Sequence, residues 1–134
     1  MSNFNNHIEI PDEINTIGKR IVNCAYKVHS KLGPGLLEVV YEKCLYHELK
    51  KNGLSINQQV NIPIIYDDLI IKDALRIDLL VENCIIIELK AVETVLPVHE
   101  AQIISYLKLT ENRLGYLINF NVLLIKNGIK RFIN

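Results

Sequence analysis

Apolar residues recur with a helical period of three to four positions near the start of the chain and again after its middle. The first such stretch runs from Asp12 to Lys31, and Gly33-Pro34-Gly35 interrupts it. A second helix is predicted from about Leu36 to Lys51, where Asn52-Gly53 ends it. A third begins at Pro97, a residue suited to the first helical turn, and extends to about Leu109.

The remaining segments are rich in Ile and Val and predict strands. These strands are Asn57–Tyr66, Leu69–Val81, Ile85–Val92, Leu114–Asn119, Val122–Ile125 and Ile129–Ile133. Asp67-Asp68 predicts a turn between the first two, and Asn127-Gly128 predicts a hairpin turn between the last two. The order α-α-β-β-β-α-β-β-β predicts an α/β fold in which helices flank a mixed β-sheet.

The length of 134 residues favours a single domain, in which we expect residues 1–11 to form a loose N-terminal segment. Lys plus Arg and Asp plus Glu number 15 each, so the formal net charge is zero. A zero charge argues against a protein that binds nucleic acid by charge alone. It does not exclude an enzyme that gains positive charge from a metal ion.

Several features predict a cytoplasmic protein with no membrane segment. No apolar run approaches the ~18 residues of a membrane helix, and the first residues lack the pattern of a signal peptide. Cys24, Cys44 and Cys84 form no CxxC pattern and are predicted to be reduced, packed thiols. The cysteines and the four histidines also show no zinc spacing.

Polar residues interrupt two consecutive strands that are otherwise apolar. Strict alternation in the first strand places Arg76, Asp78 and Leu80 on one face of the sheet. The intervening apolar residues, Leu75, Ile77, Leu79 and Val81, are then predicted on the other face. In the next strand, Glu88 and Lys90 share a face.

The loop between these strands decides which residues oppose each other. A two-residue turn at Glu82-Asn83 opposes Asp78 to Ile87 and distributes the charges over both faces. A three-residue loop that includes Cys84 opposes Asp78 to Glu88 and Arg76 to Lys90, and it leaves the other face apolar. We predict the three-residue loop, because a slip of one residue would bury charge in the core.

Two carboxylates directly opposite each other are destabilising, and they therefore predict a bound cation. Hard divalent ions such as Mg²⁺ prefer carboxylate oxygens, and Lys90 could hold a water molecule beside the ion. The alternative is a charged, solvated sheet face on which Arg76 and Lys90 neutralise Asp78 and Glu88.

Four short motifs follow one another along the chain. They are Gly35-Leu-Leu-Glu38-Val-Val-Tyr41, Arg76-x-Asp78, Glu88-Leu-Lys90, and His99-Glu-Ala-Gln102 followed by Tyr106. Together they resemble the GxxExxY family, a branch of the PD-(D/E)XK nuclease superfamily, over residues 21–132. Ile77 stands where the superfamily name expects Pro before Asp78, but Pro is not a ligand.

The resemblance implies a restriction-endonuclease-like core with a metal site at one end of the central hairpin. Asp78, Glu88 and the Leu89 carbonyl would bind Mg²⁺ or Mn²⁺, and Glu38 would be a further acidic ligand, directly or through water. Lys90 would orient the attacking water, and Gln102 would line the site from the third helix. The residues assigned to the substrate-lining surface are Arg76, Tyr41, His99 and Tyr106.

Each motif also has a structural alternative. Glu38 at a helix start is favourable for the helix dipole, and Tyr41 can pack in the core. The polar residues His99, Gln102 and Tyr106 can form the solvent side of a helix whose buried side is Ile103, Ile104 and Leu107.

These observations define two hypotheses about function. The first is Mg²⁺- or Mn²⁺-dependent hydrolysis of phosphodiester bonds in nucleic acid, with DNA as the favoured substrate. The second is a nuclease fold retained as a non-catalytic nucleic-acid-binding or assembly module, which the zero net charge favours. A metal-free small-molecule hydrolase is disfavoured, because the chain has no GxSxG motif. The sequence leaves the natural substrate and the oligomeric state open, and a homodimer built on the apolar strands is one alternative.

Overall fold

The three segments with a helical apolar period form three α-helices in the computed structural model of the protein, which describes residues 9–134. They are α1 (Asp12–Leu32), α2 (Glu38–Lys51) and α3 (Pro97–Thr110). Residues 1–8 of the predicted loose segment lie outside the described residues, and Ile10, which follows them, is buried. Between Glu9 and Asn134, no helix has the length and hydrophobicity needed to cross a membrane.

The sheet has five strands in sequence order. They are β1 (Ile56–Tyr66), β2 (Leu69–Val81), β3 (Ile85–Lys90), β4 (Leu114–Asn119) and β5 (Ile129–Ile133). β3 and β4 are parallel and are joined through α3, and the other neighbouring pairs are antiparallel. This mixed sheet confirms the predicted α/β class and, apart from one segment, the predicted order of helices and strands.

That segment is the predicted strand Val122–Ile125. The strand and its Asn127-Gly128 hairpin turn are wrong, because residues 121–124 are irregular and Ile125–Asn127 forms a 3₁₀ turn. The segment leaves the sheet to cover α1: His29 Nε2 donates to the Val122 carbonyl at 2.7 Å, and Ile125 is buried. Gly128 has a φ of −100°, which excludes the positive φ of a type I′ turn.

Helices cover both faces of the sheet. On one face, α1 and α2 pack on β3 and β4 through residues such as Ile21, Leu45, Leu49, Ile87 and Ile118. On the other face, α3 packs through Ile103 and Leu107 against Ile77, Ile86 and Leu117. Because β3 and β4 are buried on both faces, they have nearly continuous apolar sequences. Glu88 is an acidic residue within this buried strand β3.

Candidate active site

The β2–β3 hairpin has the register predicted from the sequence. Leu79 pairs with Ile87 and Val81 pairs with Ile85, so Glu82, Asn83 and Cys84 form a three-residue loop. The first two loop residues have positive φ angles of 52° and 53°. Beyond these pairs, Asp78 and Glu88 are neighbours across the two strands through hydrogen bonds of their side chains.

The backbone ladder between β2 and β3 ends at Leu79 and Ile87, and two carboxylates bridge the strands beyond it. The Asp78 N–H donates to Glu88 Oε1 at 3.2 Å. The Leu89 N–H donates to Asp78 Oδ2 at 2.9 Å. Each carboxylate is thus fixed by the backbone of the opposite strand, and the two acid groups lie side by side.

Side-chain alternation in β2 reverses at Asp78. Leu79 packs in the core under α1 and α2, whereas Ile77 packs under α3. The strict alternation predicted from the sequence is therefore wrong at this point. Gln59 on β1 lies between Gln58, which pairs with Leu79, and Val60, which pairs with Ile77. Its φ of 50° is a backbone irregularity of the kind that can redirect a neighbouring side chain. Arg76 pairs with Asn61 of β1, and the predicted Arg76–Lys90 pair lies beyond the β2–β3 ladder.

Glu88 is only 4% exposed, so its carboxylate needs a counter-charge or a proton. Among residues 9–134, the ion pairs within 4 Å are Lys27–Glu48 and Lys130–Glu100, and neither involves the Asp78–Glu88 pair. The alternative of a solvated face neutralised by Arg76 and Lys90 does not describe this arrangement.

A proton satisfies the pair when no cation is bound. Burial raises the pKa of Glu88 to about 9, and the negative charge of Asp78 adds to the increase. The Asp78 N–H and the charge of Lys90 oppose this rise. At neutral pH, Glu88 is therefore protonated in the absence of a cation, and Asp78 is its neighbouring acceptor.

α2 brings two further acids toward this pair. Glu38 is the first residue of α2, and Glu42 follows one turn later on the same side of the helix. Burial raises the pKa of both carboxyls, and the charge of Asp78 acts in the same direction on each. Sequence reasoning missed Glu42, although its spacing of four residues from Glu38 is a usable signal. Glu42 Oε1 accepts a hydrogen bond from Gln59 Nε2 at 2.8 Å.

The donor set of this region suits a hard divalent cation. Within the described part of the chain, no three His, Cys, Asp or Glu side chains form a ready-made metal cluster. Asp78 and Glu88 nevertheless present carboxylate oxygens side by side, and one of the two carries a proton that a cation would replace. All-oxygen ligands of this kind fit Mg²⁺ or Mn²⁺.

α3 contributes a hydrogen-bonded glutamine and tyrosine. Gln102 Nε2 donates to the Tyr106 hydroxyl at 2.8 Å. Tyr106 is 6% exposed; burial raises its pKa, and the charges of Glu88 and Asp78 add to the increase. Tyr106 is therefore part of the boundary between the α3 core and the carboxylate pair. Ile104, predicted on the buried side of α3, is instead 40% exposed.

Two residues predicted to line the substrate make contacts that hold the structure, and one of them is buried. His99 Nδ1 accepts a hydrogen bond from the Leu96 N–H at 3.0 Å and caps the start of α3. Tyr41 is fully buried, with its ring stacked on Phe120 at a centroid distance of 4.7 Å. Its hydroxyl donates to the Gly33 carbonyl at 2.6 Å and accepts from the Leu36 N–H at 3.1 Å. Tyr41 thus secures the turn that leads into α2, and it is inaccessible to a substrate.

A scan against models of protein families matches residues 15–132 to the PD-(D/E)XK nuclease superfamily. The chain belongs to this superfamily. The match spans the three helices and five strands except the first three residues of α1 and the last residue of β5. Searches of curated proteins and of solved structures each gave no match.

In this PD-(D/E)XK chain, sequence reasoning missed Asn119, a buried polar residue near Lys90. It ends β4, is 4% exposed, accepts from the Val92 N–H at 3.1 Å and donates to the Val92 carbonyl at 2.9 Å. These bonds hold the segment that follows Lys90. The available signal was a single polar residue at the carboxyl end of an apolar strand.

Replacing Asn119 by Ala should destabilise the protein by roughly 1–3 kcal/mol, because the N–H and carbonyl of Val92 lose their partners. Urea unfolding followed by circular dichroism measures the change. Asn23→Ala on the exposed side of α1 is the matched control and should be neutral or stabilising. Equal unfolding free energies for Asn119→Ala and the wild type would contradict this role.

Proposed function

We propose that the protein is a metal-dependent nuclease of the GxxExxY branch, which hydrolyses phosphodiester bonds with DNA as the favoured substrate. The observation that carries the proposal is the Asp78–Glu88 pair, in which Glu88 is buried and Asp78 is half-buried, and which has no cationic side chain within ion-pairing distance in residues 9–134. Enclosing two opposed carboxylates is unfavourable unless a cation is bound. Membership of the superfamily supports nucleic acid as the substrate.

In this proposal, Asp78, Glu88 and the Leu89 carbonyl hold Mg²⁺ or Mn²⁺. Glu38 is a further ligand, directly or through water, and Glu42 adds negative charge one turn along α2. When bound, the ion would activate water and stabilise the charge that develops on the phosphate.

The remaining polar residues act on water and substrate. Lys90 follows Glu88 by two residues on β3, and its charge opposes the rise in the pKa of Glu38 that burial causes, so it acts within the same group of side chains. We assign Lys90 to holding the attacking water and Arg76 to contacting phosphate. Gln102, held by its bond to Tyr106, lines the side formed by α3.

The proposed nuclease acts as one domain in a reducing compartment, for which the cytoplasm is the favoured location. Its three cysteines, Cys24, Cys44 and Cys84, are all free thiols. Free and partly buried cysteines are typical of proteins in reducing compartments.

A panel of single-stranded, double-stranded and branched DNA and RNA tests this activity. We expect cleavage of at least one substrate with Mg²⁺ or Mn²⁺ and none with EDTA. Glu88→Ala and Lys90→Ala should each slow cleavage at least roughly 100-fold, the usual scale for a group that positions water or stabilises charge. Lys108→Ala, an exposed lysine at the end of α3, is the matched control and should retain activity.

Two outcomes separate the alternatives. Nucleic-acid binding with no turnover, unchanged in Lys90→Ala, would favour the non-catalytic module. The absence of cleavage together with the absence of any stabilisation by Mg²⁺ or Mn²⁺ would contradict both the metal site and the nuclease.

Metal affinity should increase with pH. Glu88 has a pKa of about 9 and must release its proton before it can bind an ion. The Kd for Mn²⁺ should therefore fall about tenfold per pH unit between pH 7 and pH 9, since each ion displaces one proton. Titration calorimetry in buffers of different ionisation enthalpy measures the Kd and the number of protons released on binding. A pH-independent Kd with no proton release would contradict the assignment of Glu88.

A further inference from the structure

A groove with a volume of about 320 Å³ runs between α1 and α2 and is called the basic groove below. Val28 and Leu32 of α1 form part of its apolar floor. The exposed side chains of Lys31, Lys43 and Lys51 stand around this floor. The stems of such lysines can lie along apolar surface while their ammonium groups stay in water.

Positive charge is in excess around the basic groove. Glu48 is the acidic residue in its lining, and its Oε2 lies 3.7 Å from Lys27 Nζ. The three groove lysines take part in none of the ion pairs within 4 Å that the structure describes between residues 9 and 134. The groove therefore presents three lysine charges with no acidic partner, although the chain as a whole has a formal net charge of zero.

We propose that the basic groove binds the phosphate backbone of a nucleic acid beside the proposed metal site. The proposal rests on the proposed function for the class of its ligand. The candidate site is itself acidic, since the charge of Asp78 acts on Glu38, Glu42 and Glu88, so it repels phosphates wherever no cation is bound. A nuclease with no net charge therefore needs a separate cationic surface to hold the phosphates that flank the reacting one.

α2 joins the basic groove to the candidate site. Glu38 and Glu42 lie at its start, and Glu42 accepts its hydrogen bond from Gln59 on the side toward β1. Lys43 and Lys51 border the groove on the side toward α1. A helix is about 10–12 Å across with its side chains, and successive base pairs are about 3.4 Å apart. A phosphate roughly three nucleotides from the reacting one would therefore reach the groove.

Two other anionic partners fit the basic groove less well. A bilayer surface is flat and is bound through inserted apolar side chains, whereas the groove is concave. From residue 40 onward, the exposed residues of α2 are Lys43, His47, Lys50 and Lys51, and none is a large apolar residue. An acidic protein segment would match the charge, but it has no reason to continue over α2 to a metal site.

Fluorescence anisotropy with a labelled duplex of ~20 base pairs and a single strand of ~20 nucleotides tests the proposal, in EDTA and between ~20 and ~200 mM salt. Without metal no cleavage is expected, so binding is measured separately from turnover. Lys31→Ala/Lys43→Ala/Lys51→Ala should raise the Kd at low salt at least roughly tenfold. It should also reduce the slope of log K against log salt by about 2 to 3, because each phosphate contact contributes about 0.7 to 0.9.

Lys72→Ala/Lys108→Ala/Lys126→Ala is the matched control, because it removes the same charge at exposed lysines outside α1 and α2. It should retain the Kd and the salt slope of the wild type. Circular dichroism checks that both variants are folded. The wild type needs no substitution, and its failure to bind either nucleic acid at the lowest salt would overturn the proposal.

The remaining outcomes separate the groove from the proposed nuclease. Cleavage in Mg²⁺ or Mn²⁺ together with a salt slope that the groove variant leaves unchanged would overturn the groove and leave the nuclease standing. Groove-dependent binding without cleavage would support the groove and count against the nuclease. An equal loss of binding in the control variant would overturn the groove as a specific surface. Binding of poly-glutamate or anionic vesicles through the same lysines, without binding of DNA or RNA, would also overturn it.

Discussion

Replacing Glu88 by Gln should raise the melting temperature of the metal-free protein at pH 8 by at least roughly 5 °C. The pKa of Glu88 rises from 4.5 to about 9 in the folded protein, because burial and the charge of Asp78 disfavour its ionised form. Between these two values, the unfolded chain releases the proton and the folded chain retains it. Stability therefore falls with increasing pH over this range, by roughly 1.4 kcal/mol per pH unit. Below pH 4.5 the group is neutral in both states and makes no such contribution.

Thermal unfolding in EDTA at several pH values between 5 and 9 measures this effect. The amide introduced by Glu88→Gln keeps an acceptor for the Asp78 N–H and cannot ionise, so this variant should lose most of the pH dependence. Glu93→Gln, at an exposed glutamate in the β3–α3 segment, is the matched control. Added Mg²⁺ or Mn²⁺ should stabilise the wild type and not Glu88→Gln. Equal melting temperatures and equal pH slopes in EDTA would contradict the burial of an uncompensated carboxyl.

Replacing Tyr41 by Ala should cost about 3–5 kcal/mol of stability, because a fully buried ring stacked on Phe120 is removed. Tyr41→Phe keeps the ring and removes the hydroxyl that joins the Gly33 carbonyl and the Leu36 N–H. This change should cost roughly 1–3 kcal/mol, the usual value when buried polar groups lose a partner.

Urea unfolding of both variants measures the two costs, with Tyr26→Phe as the matched control at a 44% exposed tyrosine of α1. The hydroxyl of Tyr41 secures the turn before Glu38, so Tyr41→Phe should also weaken Mn²⁺ binding. A Tyr41→Phe variant with wild-type stability and a raised KM for nucleic acid would contradict this structural role and indicate that Tyr41 contacts the substrate.

The parts of the fold predicted correctly are those that short-range chemistry determines. The α1–α2 boundary follows from Gly33-Pro34-Gly35, and Gly33 indeed has a positive φ of 65°. The β2–β3 register follows from the energetic cost of burying charge, and the observed three-residue loop confirms it. The Asp78–Glu88 pair belongs to the same hairpin, so its residues are brought together by local structure.

The sequence predictions are wrong where contacts between residues distant in the sequence determine the local structure. Val122–Ile125 is a short apolar run, for which periodicity cannot distinguish a strand from a segment that covers a helix. Its contact with His29, 93 residues away, determines the outcome. The reversed alternation at Asp78 likewise lies beside the irregular residue Gln59 of the neighbouring strand, which the sequence of β2 does not contain. The role of Tyr41 depends on Phe120, which is distant in the sequence.

The hairpin that carries Asp78 and Glu88 also bears on how the protein folds. The two residues are ten positions apart, so they meet through one of the shortest loop closures in the sheet. Glu38 and Tyr106 come from separate helices and require contacts of much greater sequence separation. We therefore expect the hairpin to form while both carboxyls are still hydrated, and proton uptake by Glu88 to accompany the later docking of the helices. The kinetic barrier that depends on pH would then be the docking step and not the formation of the hairpin.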